Sequence, residues 1–329
     1  MILRIVFLGS DAIALPALDW LAGQGSATAE IVAVATQPDR PAGRGQSVQG
    51  NAIKRWAAAR GLPVHQPEKL GEADAAWLAA LQPDLALVMA YGHILREAFI
   101  ATPRRGTLNL HASLLPALRG ASPIQTAVAG GARATGVSLM RIVRRLDAGP
   151  VADGEGVTVG PLDTAADVEA RVAAACVPLL ARSLPKLARG ELAFVEQDET
   201  RATYCRRLVK EDGDLDFAAP AATLAARING LYPWPACRAE LRGQTVTLGL
   251  ADADGAAAPV GAPGTVLGAD PEGLLVATGA GTLRLRKLQR PGGRMLPAAE
   301  FLRGFPVAAG GTIPSRAMSF LVGPKPFKT

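Results

Sequence analysis

The sequence predicts an α/β domain with a largely parallel sheet, followed by a smaller β-rich domain. Three observations carry that prediction. Over the first 150 residues, short apolar, β-branched runs alternate with helical patterns, as in repeated strand–helix units. After Gly190 the texture becomes polar and charged. From Thr245 onward, short β-rich runs are punctuated by Gly and Pro, as in a small barrel or sandwich.

Residues 2–9 read as a buried strand, apolar and closed by Gly9. A helix follows at about 14–23, a strand at Ile31–Ala35 and a helix over 50–60. Further strands are expected at Asp84–Met89, Thr107–His111 and Gly136–Val143. Between the last two lies a helix over 122–130, with Ser122 as N-cap and Pro123 in the first turn. Residues 163–190 form an alanine-rich helical segment capped by Asp163 or Thr164, which Pro178 and Pro185 are expected to kink or divide. Residues 201–216 suit a crossing linker, and 221–231 one more helix. The β-rich runs are Thr245–Leu250, Gly264–Leu267, Leu274–Thr278 and Thr282–Leu288. The domain boundary falls near 190–210.

A chain of 329 residues is long for one domain, and 49% hydrophobic against 19% charged residues excludes a mainly disordered protein. No apolar run approaches the roughly 18 residues of a membrane span. The N-terminus lacks a basic region and a cleavage site, so it reads as a strand and not a signal peptide. Cys176, Cys205 and Cys237 are odd in number and in no metal spacing, as in the reduced thiols of a cytosolic, cytoplasmic protein. Nothing calls for more than a monomer. Charge is uneven. Residues 1–205 hold 20 basic and 19 acidic side chains, and residues 206–329 hold 15 and 10. A basic C-terminal third suits a polyanion, although a soluble domain can also simply be basic.

Strand one ends in Gly9-Ser10-Asp11 without the G-x-G-x-x-G spacing, which argues against a nicotinamide or flavin cofactor. Asn109 and His111 are more informative. They sit two apart on a predicted strand, so their side chains leave the same face at its C-terminal end. A polar pair in an apolar strand costs free energy unless it is partnered. Taken alone, such a pair satisfies neighbouring backbone more often than it does chemistry. Asp147, before Ala148-Gly149-Pro150, alone reads as a turn residue. At the same sheet end as His111 it would accept a hydrogen bond from the imidazole. An amide, an imidazole and a carboxylate together suit transfer of an acyl-type group, with Asn109 and His111 at the oxyanion and His111 and Asp147 managing the proton. Ser113 has no second histidine to activate it, so direct transfer is favoured over a covalent intermediate. His65 and His93 read as loop residues without a chemical role.

The segment Asn109-Leu-His111-Ala-Ser113-Leu-Leu-Pro116, continuing through Arg119-Gly120 and Pro123-Ile-Gln125, resembles the signature of the 10-formyltetrahydrofolate-dependent formyltransferases. Thr36-Gln-Pro-Asp-Arg-Pro-Ala-Gly-Arg-Gly45, Ala90-Tyr91-Gly92, Leu146-Asp147-x-Gly149 and Tyr232-Pro-Trp234-Pro235 extend the similarity over nearly the whole chain. The resemblance implies a Rossmann-like formyltransferase domain at 1–190, a linker at 191–209 and a C-terminal OB-like β-barrel at 210–329 that binds tRNA. It implies that 10-formyltetrahydrofolate donates a formyl group to the α-amino group of methionine on initiator tRNA, for translation initiation. The catalytic residues would be Asn109, His111 and Asp147. Ser113, Leu114, Leu115 and Pro116 would hold the folate, and no metal is implied. Candidate tRNA contacts are Arg40, Arg44, Arg206, Arg207, Arg284, Arg286 and Lys287, most of them equally readable as solvated charges; Arg284 and Arg286 share one strand face.

Three departures from the family pattern stand out. The loop Gln46–Asn51 lacks the lysines the family often places there. Arg145 replaces a common glycine just before Leu-Asp, and Ala117-Leu118 replaces a bulkier or basic pair. Two alternatives remain beside tRNA formylation. One is a related enzyme that formylates an amino-sugar nucleotide or hydrolyses formyl-folate, and the other is a tRNA-binding protein with an inactive site.

Overall fold

The computed structural model describes residues 2–42, 47–254 and 261–327; Arg44 lies outside them. The first elements are β1 (Leu3–Gly9), α1 (Leu15–Ala22), β2 (Ala29–Ala35), β3 (Arg40–Ala42), β4 (Ser47–Gln49), α2 (Ala52–Ala58) and β5 (Val64–His65). Next come α3 (Glu72–Ala80), β6 (Leu85–Met89), α4 (Glu97–Ala101), β7 (Thr107–His111), β8 (Arg119–Gly120) and α5 (Pro123–Ala129). β9 (Ala134–Arg141), β10 (Val151–Thr158), α6 (Ala165–Arg189) and β11 (Tyr204–Cys205) follow. The rest comprises α7 (Ala221–Leu231), β12 (Cys237–Leu241), β13 (Gln244–Asp254), β14 (Val266–Ala269), β15 (Leu274–Ala277), β16 (Thr282–Gln289), β17 (Leu296–Pro297), α8 (Ala298–Gly304) and β18 (Val322–Gly323).

The chain divides into two compact units. One comprises residues 1–119, 136–157 and 169–202, and the other 120–135, 158–168 and 203–329. The first unit is Rossmann-like, with a seven-stranded sheet in the order β10-β9-β7-β6-β1-β2-β5. β1, β2, β5, β6 and β7 run parallel. Leu3, Ile5, Val6, Phe7 and Leu8 of β1 are wholly buried. A strand covered on both faces has no polar side to present, hence the unbroken apolar run Ile5–Leu8.

β9 departs from the expected parallel order. It pairs antiparallel with β7, with Leu108 opposite Arg141 and His111 opposite Ser138. Parallel addition needs a crossover helix laid back along the sheet. The helix available, α5, has seven residues and packs against α7. β10 was not expected at all, because Val-Ala-Asp-Gly-Glu-Gly-Val-Thr carries two glycines and little β propensity.

α6 is not divided by its prolines. It runs for 25 residues through both Pro178 and Pro185. The prolines are seven residues apart, close to two turns, so their missing N–H groups fall on one side. That side faces water. Ala174 and Ala181, whose carbonyls lose a partner, are both exposed and can hydrate. Thr164 caps the helix with Asp167 in a reciprocal box: Thr164 N–H donates to the Asp167 carboxylate at 2.9 Å.

In the second unit, β12-β13-β16-β15-β14 form a curled antiparallel sheet of OB type, a half-barrel, with β17 added beside β16. α7 fills its concave side: Leu224, Ile228 and Leu231 are wholly buried with Val246, Leu248, Leu283 and Leu285. Gly230 is required where α7 crosses α5, since a Cβ there would lie 2.1 Å from the Ala129 nitrogen. Ser122 occupies the N-cap position of α5, but its side chain makes no capping bond.

Candidate active site

β7 carries both central side chains. His111 is 5% exposed and Asn109 half-buried. The His111 Nε2–H donates to the Leu118 carbonyl at 3.0 Å. A carbonyl only accepts, so the proton on Nε2 is fixed and Nδ1 is left for chemistry. Nδ1 lies 3.7 Å from Asp147 Oδ2, within ion-pair range but longer than a hydrogen bond. Among the described residues, the Asn109 amide has no hydrogen-bond partner, so its N–H groups are available to a substrate.

Asp147 reaches His111 by a route other than the expected one. Because β9 is antiparallel, its end lies beside the start of β7: Ile142 N–H donates to Thr107 O at 2.9 Å. The loop 142–150 therefore turns back toward His111, with Asp147 in left-handed backbone at φ +46°. Gly149 permits the turn, since a Cβ there would sit 2.0 Å from the Arg141 carbonyl oxygen.

The segment Ser113–Pro116 is stitched by hydrogen bonds. Ser113 Oγ donates to Ala117 O at 2.6 Å, Ser138 Oγ donates to Ser113 O at 2.8 Å, and Leu115 N–H donates to Ser138 Oγ at 3.0 Å. With its polar groups turned inward, the loop leaves the Leu114 side chain 40% exposed. Ser138 was overlooked in the sequence, although a serine in the buried run Gly-Val-Ser-Leu-Met is a detectable signal. The loops after β1, β2 and β6 are joined similarly. Ser10 Oγ and Gln37 Nε2 both donate to Tyr91 O at 3.1 Å, and Asn51 Nδ2 donates to Thr36 Oγ1 at 2.7 Å.

Around this centre runs a set of contacts that reaches from the motif residue Arg119 beyond the motifs. Arg119 is wholly buried and donates to Gln197 Oε1 at 2.8 and 3.0 Å and to Glu199 at 2.9 and 3.1 Å. Gln197 Nε2 in turn donates to the Asp147 and Gly149 carbonyls at 2.8 and 2.7 Å. Arg145, the departure before Leu-Asp, pairs with Glu199 at 2.6 Å. Hydrogen bonds from Arg119 and then Arg145 lower the Glu199 carboxyl to about 2.

The expected cations divide into two groups. Arg40 pairs with Glu68 at 2.9 Å, and Arg206 with the buried Asp212 at 2.5 Å. Arg284 and Arg286 share Asp252 and Glu272, and Arg284 also meets Asp254 and Asp270. Arg207 and Lys287 are exposed, and their side chains have no ion pair among the described residues. His65 bonds Asp74 at 2.7 Å and stacks on Trp77. Cys176, Cys205 and Cys237 are buried and form no disulfide among the described residues. Among the described residues no group of three or more His, Cys, Asp or Glu is placed to hold a metal, and no helix is long and apolar enough to cross a membrane.

Two family models match: formyl transferase over residues 3–184, and the formyl transferase C-terminal domain over residues 207–306. A methionyl-tRNA formyltransferase of Aromatoleum aromaticum is 41% identical over 309 residues, 94% of this chain and 96% of the relative. One from Xanthomonas campestris is 43% identical over 91% of this chain and 97% of its own. The chain belongs to the methionyl-tRNA formyltransferase family. It is therefore an enzyme, a formyltransferase, and its two matched segments account for the change of texture near residue 200. The fold is shared more widely. An N-formyltransferase of Helicobacter canadensis, solved with folinic acid and dTDP-3-aminofucose, superposes with a TM-score of 0.64 at 14% identity, covering 87% of this chain and 99% of that one.

Proposed function

We propose that this enzyme transfers the formyl group of 10-formyltetrahydrofolate to the α-amino group of methionine on initiator tRNA, acting as a cytoplasmic monomer in translation initiation. The observation that carries the reading is the convergence of an available amide, an imidazole with a fixed tautomer and a carboxylate at Asn109, His111 and Asp147. The neutral amine attacks the formyl carbon and a C–N bond forms. The Asn109 N–H groups, and His111 protonated at Nδ1 as well as Nε2, hold the oxyanion by hydrogen bonds that strengthen as charge develops. Asp147, beside the same Nδ1, helps move the amine proton toward the folate nitrogen that leaves as the second C–N bond breaks.

Ser113–Pro116 supplies the donor's wall, where exposed Leu114 offers apolar surface to a flat ring. Of the cations assigned to tRNA, Arg207 and Lys287 present open charge for phosphates. Arg40, Arg206, Arg284 and Arg286 already face carboxylates. The test is formyl transfer to methionine-charged initiator tRNA, with uncharged tRNA and an amino-sugar nucleotide as controls. Transfer confined to the charged tRNA is expected. Transfer to the sugar, or loss of formate to water, would overturn the acceptor.

A further inference from the structure

We infer that Gln197 is a positioning residue for the transfer reaction, setting the loop that carries Asp147 against His111. The inference rests on the reaction proposed above. Gln197 lies between the two family matches, in a stretch whose sequence reads as linker. Its amide orientation is fixed by chemistry. The two contacts from Arg119 come from a group that only donates, and the Asp147 and Gly149 carbonyls only accept. Rotating the amide by half a turn would set like against like on both sides.

The Asp147 loop needs such an anchor. It leaves the sheet beside the start of β7 and must come back over it, through a left-handed residue. The other end of the same connection is Arg119, which directly follows Leu118, the residue whose carbonyl accepts the His111 Nε2–H. One side chain thus couples the segment that orients the imidazole to the loop that aims the carboxylate. Glu199 holds Arg119 through both its oxygens and takes Arg145 as well, so the arginine cannot swing away from Gln197.

Few other side chains can serve. Glutamate would keep the Arg119 contact but press an oxygen against two carbonyls. Asparagine is one methylene too short, and alanine supplies neither half.

The test uses the full chain with Gln197→Glu and Gln197→Ala, and Glu196→Ala, an exposed neighbour, as control. Gln197→Glu retains the Arg119 pair and so keeps the thermal midpoint near that of the parent. Its kcat is expected to fall about 10–100-fold, the scale of a misplaced reacting group. KM for both substrates should stay within about twofold, since neither is touched. A second readout is independent of turnover. The chain has three histidines, so the His111 ring can be followed by NMR titration, assigned with His111→Ala. Its titration should move in both Gln197 variants and not in Glu196→Ala. Unchanged His111 titration together with kcat within twofold of the parent would overturn the inference, as would a kcat loss that merely tracks a lowered thermal midpoint. A parent that transfers no formyl group would instead remove the proposed function, while the His111 titration would still decide the role of Gln197.

Discussion

Two arginine–carboxylate clusters in this molecule use the same groups for opposite ends. In the first unit, buried Arg119 meets one glutamate and one amide, and the amide passes the connection on to the backbone around Asp147. In the second unit, Arg284 and Arg286 on β16 face Asp252 and Asp254 of β13 and Asp270 and Glu272 of the turn between β14 and β15. The first joins segments nearly 80 residues apart in sequence and fixes a geometry. The second stays within one sheet face and outnumbers its two guanidinium groups with four carboxylates. A run of basic residues on a strand is therefore not a basic surface. The difference is set by what each arginine faces, which composition does not record.

The contrast sharpens most at the chemistry the first cluster serves. His111→Ala should lower kcat about 100–1000-fold, the cost of one oxyanion donor, with tRNA affinity little changed. Single-turnover formylation with a parallel binding titration checks both, and near-normal turnover would remove the role of His111. Next in size is a paired substitution. Arg119→Met leaves Gln197 and the Asp147 loop unanchored and should cost about 2–4 kcal/mol of stability together with activity. Arg284→Met, at a partly solvated cluster, should cost about 1 kcal/mol and no activity. Denaturant melts with matched assays measure the two, and equal costs would dissolve the distinction.

A smaller effect separates cations by partner. Arg207→Ala and Lys287→Ala should each reduce the salt slope of tRNA binding by about 1, whereas Arg286→Ala should leave it unchanged. The smallest effect concerns pH. The Glu199 carboxyl is held low in the folded protein, so its stabilisation is complete above about 4.5 and is lost as pH falls toward about 2. Glu199→Gln should flatten that stretch of the stability–pH curve, and an unaltered slope would detach Glu199 from Arg119.

What was legible in the sequence follows from the range of the forces involved. Ile5–Leu8 of β1 and all of β6 show as continuous apolar runs because burial on both faces leaves no choice of residue. Asn109 and His111 stand out for the same reason, as polar groups in an apolar strand. Asp147 could be placed beside them only through the resemblance, because its route depends on the antiparallel direction of β9, which strand pattern does not encode. α3, with its sequence Glu-Ala-Asp-Ala-Ala-Trp-Leu-Ala-Ala, was overlooked despite an acidic first turn that favours a helix start. Gln197 left no local trace. Its partners are about 50 and 80 residues away, and the stretch around it is as polar as any linker.

Ala90, Leu118 and Asp147 all hold left-handed backbone, at φ +48°, +57° and +46°. None is glycine, and each such residue costs on the order of 1–3 kcal/mol. Leu118 presents the carbonyl that pins His111, and Asp147 is the carboxylate itself, so the strain sits on the residues that aim the site. Selection for heat resistance alone would therefore drift toward glycine or asparagine at these positions. It would produce a tougher protein that formylates poorly.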